Sequence, residues 1–232
     1  KGLVRHLFDL AVRLSDKVTV VSEAMKNRAS LKDAEVFSSG VDERFFEITP
    51  DYDSKTVLYT RSLEPIYDAE TLIRSIPLVI EKVPDTRFII AGTGSMESNI
   101  KELAHTLEIE DQVDFVGLVP CEQIVALMKK ASVYVSTATA DGTSIALLEA
   151  MAAGLIPVAT DIDANRQLIS HTKDGFLFEP GSPENLADNI VHAFSNAIAA
   201  SVLSEKRAQI KDRIYWSNVA KRFITLYTHL VA

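Results

Sequence analysis

The sequence predicts an α/β fold, a Rossmann-like doubly wound parallel sheet with helices on both faces, on two observations. Short apolar runs such as VLYT and SVYVS alternate with amphipathic stretches long enough for helices, as expected where strands and helices take turns. The 232 residues are 47% hydrophobic and 24% charged, so a sizeable core can form and a disordered chain is excluded. Consecutive strands joined by crossover helices pair in parallel, which gives the doubly wound sheet.

The predicted strands are rich in β-branched and aromatic residues and cover 17–21, 34–38, 56–60, 87–91, 113–116, 132–136, 156–159 and 176–178. The predicted helices carry apolar residues three or four positions apart and cover 3–14, 23–30, 68–82, 96–107, 121–130, 144–153, 183–199 and 215–230. Segment 39–55 is acidic, contains Pro50 and shows neither the alternation of a strand nor the apolar spacing of a helix. We therefore interpret it as a linker between two units.

The part before the linker holds two predicted strands and two predicted helices, too few to close a layered core. The first helix has an apolar face, formed by Leu3, Leu7 and Leu10 among others, which needs a partner. The chain begins at Lys1 rather than Met. A fragment of a larger protein is the simplest interpretation, although an artificial or processed start would give the same sequence.

The net charge is −8, and its distribution excludes some partners. Residues 1–32 and 205–222 each carry a charge of +4, whereas 33–204 carry 11 basic and 27 acidic residues. So acidic a block repels nucleic-acid phosphates. The basic ends allow contact with an anionic membrane surface, although charged stretches are usually solvated, and the apolar stripes near both ends allow self-association.

Cysteine use and hydropathy predict a cytoplasmic protein. Cys121 is the only cysteine, so an internal disulfide and a multi-cysteine metal site are excluded. No apolar run is long enough for a membrane span, and the start does not read as a signal peptide. The five histidines lack metal-ligand spacing, and we expect no bound metal.

The most informative segment is DGTSIALLEAMAAG at 141–154. Thr143 or Ser144 is a suitable N-cap, the next nine residues favour a helix, and Gly154 is a natural stop. The helix follows the strand SVYVS after a short loop, so its first turn lies at the carboxyl edge of the sheet, where open α/β sheets bind ligands. Free N–H groups and the helix dipole make that turn an anion site.

Two carboxylates bracket this turn: Asp141 precedes the cap, and Glu149 follows eight positions later. A diphosphate docked at the helix start would have a sugar on one side and a ribose on the other, and a carboxylate can accept hydrogen bonds from the hydroxyls of each. Two structural alternatives stay open. Asp141 can be a loop acid that caps the helix, and Glu149 can pair with a polar group of the core.

Other motifs also lie at predicted strand ends. Arg61 follows the strand VLYT, and its guanidinium suits a diphosphate. FIIAGTG at 88–94 contains Gly92 and Gly94 but lacks the third glycine of a dinucleotide fingerprint. These glycines, and Gly117 in VDFVGLVP, fit a ligand site or ordinary turns equally well.

Together these segments resemble the retaining glycosyltransferases with the GT-B fold, called glycosyltransferase family 4 or group 1. DGTSIALLEAMAAGLIPVATD resembles the family's E-G-F-G-L-x-L-L-E-A-M-A-x-G-x-P-V-V-A-T-D, and SSGVDERF at 38–45 resembles P-N-G-V-D-x-x-x-F. VLYTRSLEPIYDAETLI resembles G-R-L-x-x-x-K-G-x-x-x-L-I, and VDFVGLVP resembles F-x-G-x-V-P. The resemblance covers nearly the whole chain, and the first of these motifs is highly specific at its length.

The resemblance implies roles for individual residues. Asp141, which replaces a Glu, would contact the donor sugar, Glu149 would hold the ribose, and Arg61 would clamp the diphosphate. Other residues would contact the donor largely through the backbone: Gly92, Gly94, Val116, Gly117, Leu118, Gly142, Thr143, Ser144 and Ile145. The family's second cation, a Lys, has no counterpart, because Tyr67 stands near its position. Arg166 can substitute if its loop faces the same cleft.

The resemblance implies the C-terminal, donor-binding half of a GT-B enzyme. Residues 1–48 would be a remnant of the acceptor-side domain with the linker, 49–214 the nucleotide-sugar-binding domain, and 215–232 a helix that returns toward the missing N-terminal domain. The implied reaction is retaining transfer from a UDP-sugar or GDP-sugar to an acceptor hydroxyl, without a metal. Alternatives are a non-catalytic nucleotide-sugar-binding module and, less favoured by the glycine pattern, a dehydrogenase-like domain.

Overall fold

The computed structural model describes residues 2–195 and 198–231. Its described strands are β1 (Thr19–Val20), β2 (Glu35–Val36), β3 (Thr56–Tyr59), β4 (Arg87–Ile90), β5 (Val113–Phe115), β6 (Val133–Ser136), β7 (Ile156–Thr160) and β8 (Phe176–Phe178). Strands β3 to β8 form one sheet in the order β5-β4-β3-β6-β7-β8, and every neighbouring pair is parallel. The predicted doubly wound fold is confirmed.

The described helices alternate with these strands. They are α1 (Gly2–Leu14), α2 (Glu23–Arg28), α3 (Ala69–Lys82), α4 (Glu97–Thr106), α5 (Cys121–Met128), α6 (Ile145–Ala153), α7 (Asp163–Arg166), α8 (Pro183–Phe194), α9 (Ala200–Ile214) and α10 (Trp216–Val231). Short 3-10 turns lie at Glu43–Glu47, Pro65–Tyr67 and Glu110–Gln112. Most boundaries agree with the prediction to within two residues.

Helices cover both faces of the sheet. Alternate residues of each strand point to opposite faces, and the buried side chains form two clusters accordingly. One cluster joins Leu72 of α3 and Ile190 of α8 to strand residues such as Val57. The other joins Leu148 of α6 and Ile210 of α9 to Leu58, Tyr134 and others. The chain direction across the sheet reverses between β3 and β6, so the crevice at their carboxyl ends is the switch point of the fold.

One helix is absent from the prediction. The predicted helix 183–199 ends in the structure at Phe194, residues 196 and 197 of that range lie outside the described residues, and α9 then runs from Ala200 to Ile214. In α9 only Leu203, Ile210 and Ile214 are buried. Three buried positions in fifteen make a narrow stripe that a periodicity argument does not detect.

The N-terminal part forms a small layer of its own. Strands β1 and β2 make a two-stranded parallel sheet. Helix α10 crosses back onto it, since the Phe37 and Phe223 rings lie 4.4 Å apart and Arg222 donates a 3.0 Å hydrogen bond to the Val36 carbonyl. Helix α1 buries no residue, and Leu3 and Leu14 are each about three-quarters exposed, at 74% and 77%. In the described part of the chain, no helix is both long and apolar enough to cross a bilayer.

Segment 39–55, predicted as an irregular linker, contributes to the core. Its 3-10 turn Glu43–Glu47 packs on α6, and Val41, Phe45 and Ile48 are each only 1% exposed. The Val41 N–H donates to the Ile214 carbonyl at 2.6 Å and the Trp216 N–H donates to the Val41 carbonyl at 3.1 Å. The segment is therefore tied to both the core around α6 and the α9–α10 junction.

This packing predicts a large cost for Phe45→Ala. Removal of a fully buried phenyl ring is expected to lower the free energy of unfolding by about 3–5 kcal/mol. Phe8→Ala is the matched control, because Phe8 lies on α1 and is 47% exposed, and its effect should stay within about 0.5 kcal/mol. Urea titrations followed by circular dichroism measure both. Equal losses would contradict the assignment of Phe45 to the core.

Candidate functional site

The site is built around the first turn of α6. Ser144 is the N-cap, with an extended backbone, and its Oγ accepts a hydrogen bond from the Leu147 N–H at 3.1 Å. Gly154 ends the helix with a φ of 83°, in the left-handed region that suits glycine. Both caps agree with the sequence prediction. Because β6 points at this turn, the positive end of the helix lies at the switch point.

Arg61 crosses the switch point and joins the ends of two strands. It follows β3, and its guanidinium donates to Ser144 Oγ at 2.6 Å and to Asp141 Oδ2 at 2.8 Å. The Arg61 and Asp141 side chains are only 11% and 16% exposed. The structure therefore brings three predicted site residues into one cluster at the helix start.

Asp141 is held from two sides. Its Oδ2 accepts from Arg61, and its Oδ1 accepts from the Gly142 N–H at 2.8 Å. Its hydrogen bonds are to the loop and to Arg61, whereas Ser144 caps the helix, so the alternative that Asp141 itself caps α6 is wrong. The pair carries no net charge, and the helix end supplies the remaining positive potential.

Glu149 lies apart from this cluster, on the next turn of α6. Burial raises the pKa of Glu149 to about 7, and the negative charge of Asp42 adds to the shift. Asp42 is itself held ionised by Arg44, which donates to it at 2.9 and 3.0 Å and lowers the pKa of Asp42. Within residues 2–195 and 198–231, no protein group hydrogen-bonds the Glu149 carboxylate, so the alternative of a paired core carboxylate has no support there.

Close backbone packing explains why positions 92 and 94 are glycines. A Cβ on Gly92 would lie 2.2 Å from the Arg61 carbonyl oxygen, and one on Gly94 would lie 2.4 Å from the Leu63 carbonyl oxygen. The Leu63 N–H in turn donates to the Thr93 carbonyl at 3.0 Å. The glycine turn after β4 thus lets the β3 loop approach closely, and it sets the backbone from which Arg61 extends.

The segment after β5 stands open to solvent. Gly117 has a φ of 68° and open space where a Cβ would project, and Leu118 is 83% exposed. On α6, Ile145 is 47% exposed. Thr143 Oγ1 donates to the Val21 carbonyl at 3.3 Å, which places Thr143 against the N-terminal part rather than deep in the crevice.

A cavity of about 1040 Å³ opens beside the cluster. Helix α2 forms one wall, with Met25, Asn27 and Arg28 among its lining residues, and the loops after β6 and β7 form the other, including Asp141, Gly142 and Arg166. Glu149 is not among its lining residues. The cavity therefore lies between the N-terminal part and the carboxyl edge of the sheet.

Arg166 faces this cavity, as a substitute cation would have to, but its charge is already matched. It donates to Asp161 at 2.7 and 3.0 Å and to Asp163 at 3.0 Å. The side chains of these ion pairs are half to mostly exposed, so each pair is weak in water. Two aspartates nevertheless leave little positive potential at Arg166.

Sequence reasoning missed two contributors to the site. Ser22, the N-cap of α2 and only 7% exposed, donates to the Gly142 carbonyl at 2.9 Å. The Tyr67 ring lies over the Arg61 guanidinium, with 4.1 Å from Cζ to the ring centroid. A Ser at a strand end followed by Glu is a readable N-cap signal, but nothing in the sequence indicates that it reaches residue 142.

Solved structures of similar fold support this architecture. The chain superimposes on Anabaena Alr3699/HepE in complex with UDP and glucose with a TM-score of 0.82 at 22% identity, over 97% of this chain and 66% of that one. Sucrose-phosphate synthase from Thermosynechococcus elongatus gives a TM-score of 0.85 at 18% identity, over 100% of this chain and 62% of that one. At these identities the likeness shows the fold alone.

Sequence relatives agree with the fold. The chain is 30% identical to a phosphatidyl-myo-inositol mannosyltransferase of Mycobacterium tuberculosis, over 98% of this chain and 62% of that protein. It is 27% identical to an uncharacterized glycosyltransferase of Methanocaldococcus jannaschii, over 75% of this chain and 45% of that protein. The chain thus spans about half the length of these relatives. The family described as glycosyl transferases group 1 matches residues 41–215, so this chain belongs to the group 1 glycosyl transferases.

Proposed function

We propose that this chain binds a nucleoside diphosphate sugar and provides the donor half of a glycosyl transfer to an acceptor hydroxyl, with retention at the anomeric carbon. The observation that carries the proposal is the Arg61–Ser144–Asp141 cluster at the start of α6, beside the switch point of the sheet. A guanidinium, a helix dipole and a carboxylate meet there, which suits a sugar diphosphate.

The diphosphate takes the position next to Arg61 and the first turn of α6. Arg61 uses only two of its five N–H groups on Ser144 and Asp141, so other N–H groups stay available to phosphate oxygens. Positive charge at this point stabilises the diphosphate as the glycosidic bond breaks. The backbone N–H groups of Thr143 and Ile145 add to this positive potential, whereas the Gly142 N–H is already bonded to Asp141 Oδ1.

The two carboxylates then orient the two ends of the donor. Asp141 lines the cavity and accepts hydrogen bonds from the sugar. Glu149, free of protein partners among the described residues, accepts from the ribose hydroxyls, and the open segment Val116–Gly117–Leu118 receives the base. The departing diphosphate accepts the proton of the acceptor hydroxyl. The acceptor oxygen then bonds to the anomeric carbon on the face that the diphosphate leaves.

The ligands of similar solved structures support a UDP-sugar as donor, and a GDP-sugar is the alternative. One solved structure of the same fold is described as HepE in complex with UDP-glucose, and curated relatives include mannosyltransferases and an N-acetylglucosaminyltransferase subunit. The proposed reaction uses no bound metal ion. In the part of the chain that the structure describes, no group of three or more His, Cys, Asp or Glu side chains is arranged to hold one.

The acceptor side is proposed to need residues beyond this chain, a missing N-terminal domain or a second copy that covers the exposed face of α1. Transfer by the isolated chain should therefore be weak, and a non-catalytic nucleotide-sugar-binding module is the alternative. Calorimetry with UDP, GDP and NAD tests the binding claim. Binding of NAD in preference to both nucleoside diphosphates would overturn it.

Arg61→Ala is predicted to weaken UDP or GDP binding by roughly tenfold to a hundredfold, the usual scale of hydrogen bonds to a charged group. Its loss also leaves the Asp141 charge uncompensated near the phosphates. Arg74→Ala is the matched control, because Arg74 makes an exposed ion pair with Glu70 on α3, and its affinity should equal that of the wild type. Unchanged affinity in Arg61→Ala would exclude the proposed clamp.

The pKa of Glu149 predicts a pH dependence of binding. The ionised carboxylate is the form that accepts two hydrogen bonds from a ribose, so the affinity for UDP-glucose, whose phosphates do not titrate in this range, should rise about tenfold between roughly pH 6 and pH 8 for a Glu149 pKa of about 7. Calorimetry in buffers of different ionisation enthalpy should detect the accompanying proton release. Glu149→Gln should give a flat profile, whereas Glu97→Gln, which removes an ion pair with Lys101 on α4, should keep the wild-type slope.

The same shift has a consequence for stability. The folded-state pKa lies above the ordinary value of 4.5, so the folded protein binds more protons than the unfolded chain between these values, and stability falls as pH rises through that window. Glu149→Gln should therefore raise Tm at pH 8 but not at pH 4. No gain at pH 8 would contradict the raised pKa.

Metal removal should leave binding unchanged. Because Arg61 and the helix start supply the positive charge, treatment with EDTA followed by gel filtration is expected to change the UDP or GDP affinity by less than about twofold, and added Mg²⁺ is expected not to restore or improve it. A loss that Mg²⁺ reverses would contradict a metal-independent donor site.

A further inference from the structure

The Arg61 guanidinium makes contacts both at its N–H edge and on one of its flat faces. Its edge points to Ser144 and Asp141, and the Tyr67 ring covers one face at 4.1 Å. Aromatic faces attract guanidinium groups, and a planar guanidinium stacks readily on a ring. With a ring on its face and two acceptors at its edge, Arg61 has little freedom to rotate.

Tyr67 is itself firmly placed. Its carbonyl accepts hydrogen bonds from Thr137 Oγ1 at 2.6 Å and from Tyr59 Oη at 3.3 Å, and both donors are fully buried. Its neighbour Ile66 accepts a 3.0 Å bond from the Thr139 N–H. The loop that carries Tyr67 after β3 is thereby joined to the loop after β6, so the ring has a fixed relation to the start of α6.

The charged side chains around Arg61 make its orientation important for binding a diphosphate. Arg166, on the same wall of the cavity as Asp141, is paired with both Asp161 and Asp163, so it does not replace Arg61 as the cation at the first turn of α6. Asp141 also competes for Arg61. A rotation of Arg61 toward Asp141 alone would withdraw its N–H groups from the first turn of α6.

We propose that Tyr67 is a positioning residue that stacks on Arg61 and keeps its N–H groups directed at the diphosphate site. This inference rests on the proposed function for the identity of the ligand. The stack uses the ring and not the hydroxyl group, for which no hydrogen bond is found among the described residues. Tyr67→Phe should therefore preserve the effect, and Tyr67→Leu, of similar hydrophobic character but without a π-face, should remove it.

Two readouts on the full chain test the inference. The first is the NMR spectrum of the arginine side chains, with the Arg61 signals assigned by comparison with Arg61→Lys. Protons over a ring face are shifted upfield, so this shift should be present in the wild type and Tyr67→Phe and lost in Tyr67→Leu. The second is calorimetry with UDP, GDP and the matching nucleosides uridine and guanosine. Tyr67→Leu should weaken nucleoside diphosphate binding by about threefold to tenfold and leave nucleoside binding unchanged.

The outcomes separate the two claims. A wild type that binds neither UDP nor GDP contradicts the proposed function, and the NMR comparison still decides whether Tyr67 holds Arg61. If the wild type binds and Tyr67→Leu binds equally well, the positioning role is wrong while the proposed function stands. An equal loss in Tyr67→Phe and Tyr67→Leu, or an equal loss for the nucleosides, also overturns it. Circular dichroism melts confirm that each variant is folded.

Discussion

The contact of Arg61 with Ser144 and Asp141 is the constraint on which the site depends. It joins the ends of β3 and β6, the two neighbouring strands at which the order of strand addition along the chain changes from one side of the sheet to the other. The glycine turn after β4 leaves room for the backbone that carries Arg61, and the cap at Ser144 fixes where α6 begins. Each of these features is ordinary by itself, but together they direct a cation and a helix end at the same point.

Much of this arrangement could be predicted from the sequence. The alternation of apolar runs and amphipathic stretches predicted the sheet. Residue type predicted the α6 caps at Thr143 or Ser144 and at Gly154, and the structure has them at Ser144 and Gly154. The partial burial of Glu149 agrees with its Ala, Leu and Met neighbours on α6. Such inferences succeed because they rest on local periodicity and on backbone preferences that tertiary contacts seldom override.

Contacts between distant segments could not be predicted. The stack of Tyr67 on Arg61, the pairing of Arg166 with Asp161 and Asp163, and the burial of Phe45 all depend on side-chain directions that a strand or helix pattern leaves open. Helix α9 was missed for a related reason, because only three of its residues are buried. The division of the chain into domains and the ligand roles of the site residues stay predictions.

The hydrogen bond from Ser22 to the Gly142 carbonyl has a wider consequence. Ser22 belongs to the N-terminal layer, whereas Gly142 lies in the loop of the six-stranded layer that presents Asp141. The stability of that loop therefore depends on contacts from both layers. If the N-terminal layer moves away, the loop loses a buried anchor and the wall formed by α2 withdraws at the same time. Occupancy of the crevice and docking of the two layers are then thermodynamically linked, and a ligand that bridges them strengthens their association.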